Sequence, residues 1–334
     1  MNTAIPVFDP FYFPTKVAII DDERECLSQI GLSLSDDYAC DLYTSPIQAL
    51  KSINYNQIDT VNLYQECSYQ TNLEIDYENV DNNFFRFADD PKRFNKYSVV
   101  LVDYSMPEMD GLELCRNIKD AGVKKILITG KADMGIAIQA FNDGVIDFFV
   151  QKQNADFNSI LNSTIKRLSH KYFKDLCSHS MFFVKKHAPY LFDDGFYERF
   201  QKICEMNDVA EYYLKRNILV SEFMLITKTG DVKYLLVQTE DQIKAQMEIA
   251  VEEESLMPEA LFKLVCNREI IPYFAGRCVY ESSYKDSWKN HVYKAEKYKT
   301  YIYSLIEAKD IPELALEIMP YSYKEFLNKF YMEH

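Results

Sequence analysis

SVVLVDYSMPEMDG, residues 98–111, decides how this chain folds. Its first half is a short apolar run that ends in the acid Asp103, and a helical spacing follows from Gly111 to Ala121. Runs this short and this apolar describe strands covered on both faces. Upstream, KVAIIDD (Lys16 to Asp22) has the same form, followed by helical spacing from Cys26 to Leu34, a short strand from Tyr38 to Tyr43, and a helix over Pro46 to Ile53 with proline in its first turn. Downstream come the strand KILIT (Lys125 to Thr129), a helix over Met134 to Phe141, and the strand DFFV (Asp147 to Val150). Strand and helix in strict alternation mean an α/β fold with a parallel sheet, here of five strands.

Open parallel sheets assemble their sites at the carboxyl edge of the strands. Four positions arrive there in order: Asp21 with Asp22, then Asp103, Thr129, and Lys152 just past the last strand. Carboxylates converging on one point repel unless a cation lies between them, and an all-oxygen donor set with room for water suits Mg²⁺. Beside such an ion Asp103 can attack phosphorus as a nucleophile, with Lys152 supplying a second cation. The Thr129 hydroxyl can bond a phosphoryl oxygen, and Gly130 leaves space for the incoming group. The expectation is that 21, 22, 103, 129 and 152 meet at one edge, with the carboxylate of Asp103 open to solvent.

KVAIIDDE (16–23), VLVDYSMPEMDG (100–111), KILITG (125–130) and DFFVQK (147–152) together resemble the receiver domains of two-component response regulators, the CheY-like family, over residues 16 to about 170. The resemblance implies a flavodoxin-like, doubly wound five-stranded sheet. It makes Asp103 the phosphoacceptor, and it makes Asp21, Asp22, Asp103 and the main-chain carbonyl of Ser105 the ligands of Mg²⁺. Thr129, Gly130 and Lys152 then bind the phosphoryl group, Phe149 is the aromatic switch, and Ser105 and Lys131 tune dephosphorylation. The implied donor is a sensor histidine kinase or a histidine phosphotransfer protein. The chain departs from the family in Gln153, where Pro is common, in Phe149, where Tyr is often seen, and in a long insertion.

The chain's 334 residues suit two domains. The expected layout is a receiver over 1–155 carrying the insertion 54–96, a long joining helix over 156–190, and an α+β output domain over 191–334. The insertion holds eight Asn and eight acids, far more chain than such a connection needs; Phe84, Phe85 and Phe87 are placed to dock it. The joining helix is read from Ile160, Leu161, Ile165, Leu168, Tyr172 and Leu176 at helical spacing. Beyond it the expectation is helices near Asp194 to Cys204 and Asp208 to Lys215, a hairpin from ILVSEFMLIT and VKYLLVQT, and helices to the end.

Net charge is −14. Residues 1–150 carry 24 acids against 12 bases, whereas residues 151–334 carry 27 against 25. That balance, with no recognisable helix-turn-helix, disfavours nucleic acid as partner. Two basic stretches, Phe157 to Phe192 and the lysine-and-tyrosine segment Tyr284 to Tyr303, each read as the outer face of a helix; the alternative is a surface for nucleotide or nucleic acid, or, for the first, for an acidic partner. Eight cysteines without CxxC spacing indicate reduced thiols. No apolar run spans a membrane and no export segment begins the chain, so a cytoplasmic protein without a membrane partner is expected. No catalytic set is visible past residue 190, so the receiver is expected to catalyse only its own phosphorylation and dephosphorylation; for the output domain the alternatives are regulatory binding of nucleotide or nucleic acid and an unrecognised enzymatic activity. The output domain is expected to mediate protein interaction, with a homodimer through the joining helix or the output domain. In layout the chain resembles quorum-sensing response regulators of the LqsR type.

Overall fold

The computed structural model describes residues 9–34, 38–56, 87–130, 133–177, 188–215, 219–252, 257–275, 288–314 and 320–333. The chain divides into two units. One comprises Phe13–Asn62, Pro91–Ser178 and Leu327–His334; the other comprises Met1–Tyr12, Leu63–Asp90 and His179–Phe326.

The first unit is a parallel sheet in the order β3-β2-β4-β5-β6. Its strands are β2 (Lys16–Ile20), β3 (Cys40–Tyr43), β4 (Tyr97–Asp103), β5 (Lys124–Thr129) and β6 (Phe148–Gln151). Numbered within the sheet, this is the 2-1-3-4-5 order of the flavodoxin-like fold, as expected. Every residue of β2 and β4 is buried, which is what continuous apolar runs produce when helices cover both faces.

Those helices are α1 (Arg24–Ser33), α2 (Pro46–Tyr55), α3 (Gly111–Asn117), α4 (Met134–Asn142) and α5 (Phe157–Cys177). Leu27, Ile30 and Leu34 at α1, with Leu161, Ile165 and Leu168 of α5, close one face over Val17, Ile19, Val99, Leu101, Ile126 and Ile128. Strand residues of the other parity, Ala18, Ile20, Val100, Val102 and Leu127, are also buried and face the opposite way. Here α2 packs on β2 and α3, and α3 on β4 and β5.

Two expectations about this unit change. The helix expected to join the domains belongs wholly to the first unit, because its apolar stripe is the lid of the sheet. And α3 stops at Asn117 instead of running to Ala121. Asn54, at the end of α2, donates to the Asn117 carbonyl (3.2 Å) and accepts from the Lys119 N–H (2.9 Å), taking up the groups a further turn would use.

The second unit is antiparallel, in the order β1-β7-β8-β9-β13-β12. Its strands are β1 (Phe11–Tyr12), β7 (Val209–Lys215), β8 (Ser221–Thr227), β9 (Val232–Gln238), β12 (Glu296–Tyr298) and β13 (Tyr301–Glu307), with a separate pair β10 (Ile270–Pro272) and β11 (Val292–Lys294). Helix α6 (Asp194–Met206) buries Phe196 and Phe200, whose rings meet Tyr212, Phe223, Tyr301 and Tyr303. Helices α7 (Glu240–Glu252) and α8 (Glu259–Cys266) pack together; Val265 of α8 shares a smaller core with Trp288, Phe274, Leu219 and Met257.

The expected hairpin is present as β8 and β9, with Gly230 at φ 93 in its turn. The expected helix at Asp208 to Lys215 is instead β7, a strand buried through Ala210 to Leu214 between β1 and β8. The expected helix around Trp288, Val292, Ala295 and Ile302 is a single 3-10 turn followed by β11, β12 and β13. Ile302, Ser304 and Ile306 alternate inward along β13, a period of two that the fortuitous helical spacing of the apolar residues concealed. Of the insertion, residues 57–86 lie outside the described residues, Phe84 and Phe85 among them. Phe87 is described and stacks on Phe11, centroids 5.3 Å apart, in the second unit.

Candidate phosphoryl-transfer site

Asp21 follows β2, Asp103 ends β4, Thr129 ends β5 and Lys152 follows β6, so the strand order itself brings all four to one edge. Register carries this down to single residues: Ile20 pairs with Val102, Asp103 with Ile128, and Thr129 with Gln151. The Tyr104 N–H donates to the Ile128 carbonyl (3.0 Å) and the Lys152 N–H to the Thr129 carbonyl (3.1 Å), extending the ladder past the strand ends.

The side chains meet at Lys152. Its Nζ lies 2.7 Å from Asp103 Oδ1 and 2.8 Å from Asp21 Oδ2. The remaining oxygens are held by main chain: Asp103 Oδ2 accepts from the Ser105 N–H (2.8 Å), and Asp21 Oδ1 from the Glu23 N–H (2.9 Å). Burial pushes the Asp103 carboxyl above the usual carboxylate range, although Lys152 and the Ser105 N–H work against it. Burial likewise disfavours the Lys152 ammonium, but its hydrogen bonds to Asp103 and Asp21 outweigh that and hold its pKa above the ordinary lysine value.

The expectation that Asp103 stands open to solvent is corrected. Its side chain is 8% exposed, with Lys152, itself 31% exposed, against it. The ammonium that touches this carboxylate is the more exposed partner of the pair. Asp22 is exposed beside Asp21, and Ser105 is exposed. Thr129 is buried, and its hydroxyl donates to the Gly130 carbonyl (3.1 Å). Phe149 is half-buried on β6, edge-on to Phe141 of α4 at 6.2 Å. Lys131 lies outside the described residues.

Glu23, Cys26 and Gly111 are the three residues of the site that the sequence reading did not assign. Asp21, Glu23 and Cys26 bring ligand atoms within 4.8 Å of one another at the start of α1. The Cys26 thiol donates to Glu23 Oε2 (3.1 Å), and that bond, with burial, pushes its pKa up to about 11. It is a neutral thiol at neutral pH, so the pocket offers carboxylate oxygens and no thiolate. The third is Gly111: a Cβ there would fall 2.3 Å from the Asp103 carbonyl oxygen. Glu23 and Cys26 sit two and five positions past Asp21, a proximity the helix start would have suggested; nothing in the spacing of Gly111 announces its contact.

Two buried carboxylates share one ammonium, leaving a net negative pocket. Its all-oxygen charged set, with the Ser105 main chain adjoining, fits a hard divalent cation. No helix among the described residues is long and apolar enough to cross a membrane, and Cys26, Cys40, Cys115, Cys204 and Cys266 are in no disulfide.

Residues 88–162 match the response regulator receiver domain. The chain is 34% identical over 88 residues to the transcriptional regulatory protein FixJ of Rhizobium meliloti, covering 26% of this chain and 40% of FixJ. It is 38% identical over 63 residues to the chemotaxis protein CheY of Listeria monocytogenes, covering 18% of this chain and 53% of CheY. The chain thus spans about half or less of these curated relatives. Across 98% of its length it is similar to the Legionella pneumophila response regulator LqsR, which it covers to 97% with 26% identity and a TM-score of 0.76. With the 2-1-3-4-5 sheet and the acids at its carboxyl edge, these matches identify the first unit as a receiver domain homologous to those of two-component response regulators.

Proposed function

We propose that this protein is a phosphorylation-controlled signalling switch whose phosphoacceptor is Asp103. The observation that carries the reading is the convergence of Asp103, Asp21 and Lys152 within 2.8 Å contacts at one sheet edge. Asp21, Asp22, Asp103 and the Ser105 carbonyl would hold Mg²⁺, which would offset charge on the phosphoryl oxygens. A carboxylate oxygen of Asp103 attacks phosphorus, an O–P bond forms, and the bond from phosphorus to the donor breaks. The donor is a phosphohistidine on a kinase or phosphotransfer protein; acetyl phosphate, which releases acetate, can stand in. Lys152 leaves its position on Asp103 Oδ1 to meet the phosphoryl oxygens. Thr129 turns its hydroxyl from the Gly130 carbonyl towards the same oxygens, and Phe149 follows, shifting α4 and β6 between two arrangements. Ser105 and Lys131 set how long the acyl phosphate lasts.

The layout is a receiver and an output domain, and the output mediates protein interaction. A homodimer forms through α5 or the output domain, and exposed Ile136, Ile138 and Phe141 on α4 offer a further apolar surface. A cytoplasmic location accords with Cys26, Cys40, Cys115, Cys204 and Cys266 forming no disulfide. The reading is tested by labelling the full chain with acetyl phosphate and Mg²⁺. Wild type should gain one base- and hydroxylamine-labile phosphoryl group and Asp103→Asn none; undiminished labelling of the variant removes the assignment. Solution mass with and without acetyl phosphate tests the dimer.

A further inference from the structure

We infer that Gly111 is the positioning residue of Asp103, setting where the phosphoacceptor carboxylate stands; the inference rests on the phosphoacceptor reading above. Gly111 opens α3, and its N–H donates to the Tyr104 carbonyl (3.0 Å), closing the loop that follows Asp103. A Cβ on Gly111 would lie 2.3 Å from the Asp103 carbonyl oxygen and 3.1 Å from both the Asp103 carbonyl carbon and Tyr104 Cα. Ordinary contacts between such atoms are roughly 3.5–4.0 Å. All three atoms are main chain, so none can swing aside as a side chain would.

Helix α3 cannot retreat either. Leu112, Leu114 and Cys115 are buried, the Asp110 side chain caps its start by accepting from the Glu113 N–H (2.8 Å), and Asn54 holds its far end. A side chain at 111 therefore displaces the Asp103–Tyr104 peptide. That peptide lies between the Asp103 carboxylate and the Ser105 N–H that orients its Oδ2. A misplacement of about 1 Å in a reacting group can cost on the order of 100-fold in rate. Gly122 provides the contrast within the same unit: its Cβ would meet Asp120 Oδ1 at 3.0 Å and the Tyr172 ring at 3.3 Å, both side chains and both away from the pocket.

The test measures aspartyl-phosphate formation from acetyl phosphate by the full chain at saturating Mg²⁺, each rate referred to the natively folded fraction. Gly111→Ala is expected to label about 10- to 100-fold more slowly than wild type, while Gly122→Ala, whose obstructing atoms are side chains, stays within about twofold. Asn54→Ala/Gly111→Ala, in which α3 can back away, should recover part of the rate. A Gly111→Ala rate equal to wild type, or a loss matched by Gly122→Ala, overturns the inference while leaving Asp103 the phosphoacceptor. Absence of any Asp103-dependent labelling in wild type removes that reading and this inference together.

Discussion

Lys152 and Asp103 form an ion pair at 2.7 Å inside the receiver pocket, and the same ammonium reaches Asp21 at 2.8 Å. One lysine therefore serves two buried acids. Lys152→Gln should destabilise the receiver by about 2 kcal/mol, below the roughly 3–5 kcal/mol of a fully buried pair because its head group keeps some exposure. Since Mg²⁺ would offset the same repulsion, adding it should restore more stability to the variant than to wild type. Urea titrations with and without Mg²⁺ measure both effects, and equal gains in the two proteins would show that ion and lysine do not share the pocket's charge.

Asp103→Asn bears on the same charge through pH. Burial raises the native pKa of Asp103, so the folded state holds this proton more tightly than the unfolded chain does. The resulting penalty is absent below the ordinary carboxylate value of about 3.9 and grows as pH rises to the raised native one. Asp103→Asn removes it. The variant's melting temperature should therefore pull ahead of wild type as pH increases through that window, by roughly 2–4 °C for each kcal/mol relieved. Melting curves from pH 4 to 7 check the sign; a difference that shrinks with rising pH contradicts it.

Tyr97 organises a second buried polar group, away from the pocket. Its hydroxyl donates to Asp41 and meets Tyr43 Oη (3.0 Å) and Ser52 Oγ (3.2 Å), while Lys16 Nζ contacts Asp41 at 2.5 Å. Tyr97→Phe leaves Asp41 with one fewer donor in a site where water cannot easily replace it. A loss of about 1–2 kcal/mol in urea denaturation is expected, without change in Asp103 labelling.

The receiver was legible because its evidence is local: apolar runs five to seven residues long, each ending in a chemistry-bearing side chain, fix both strand type and edge. The burial of Asp103 was not legible, since it depends on what packs around the strand end in three dimensions and not on the run of residues that carries it. The stop of α3 was hidden for a similar reason, its cause being Asn54, 63 residues upstream of Asn117. In the second unit the apolar residues from Trp288 to Ile302 satisfied a helical period by coincidence. Tyr298, Tyr303 and Lys299, read as a helix face or a nucleic-acid surface, instead fasten α6 to the sheet edge: Lys299 pairs with Asp193 (2.8 Å), the helix cap, and Arg199 lies 4.6 Å from the Tyr298 ring centre and donates to Tyr303 Oη (3.3 Å).

That fastening makes Gly195→Ala a discriminating substitution. A Cβ on Gly195 would lie 2.0 Å from Tyr298 Oη, closer than the clash at Gly111, yet here the obstructing atom ends a side chain. The ring can move, but it is held between Phe196, Asp193 and Arg199, so relief loosens α6 from β12. The expected cost is about 1–3 kcal/mol. Tyr298→Phe deletes the offending oxygen and should recover most of it, giving a coupling energy of at least about 1 kcal/mol in a double-mutant cycle. Trp288, the chain's single tryptophan, is buried in the same unit, so its fluorescence reports this unfolding directly. Additive effects of the two substitutions would mean that α6 is held by its apolar face alone and that the Tyr298 lock contributes nothing.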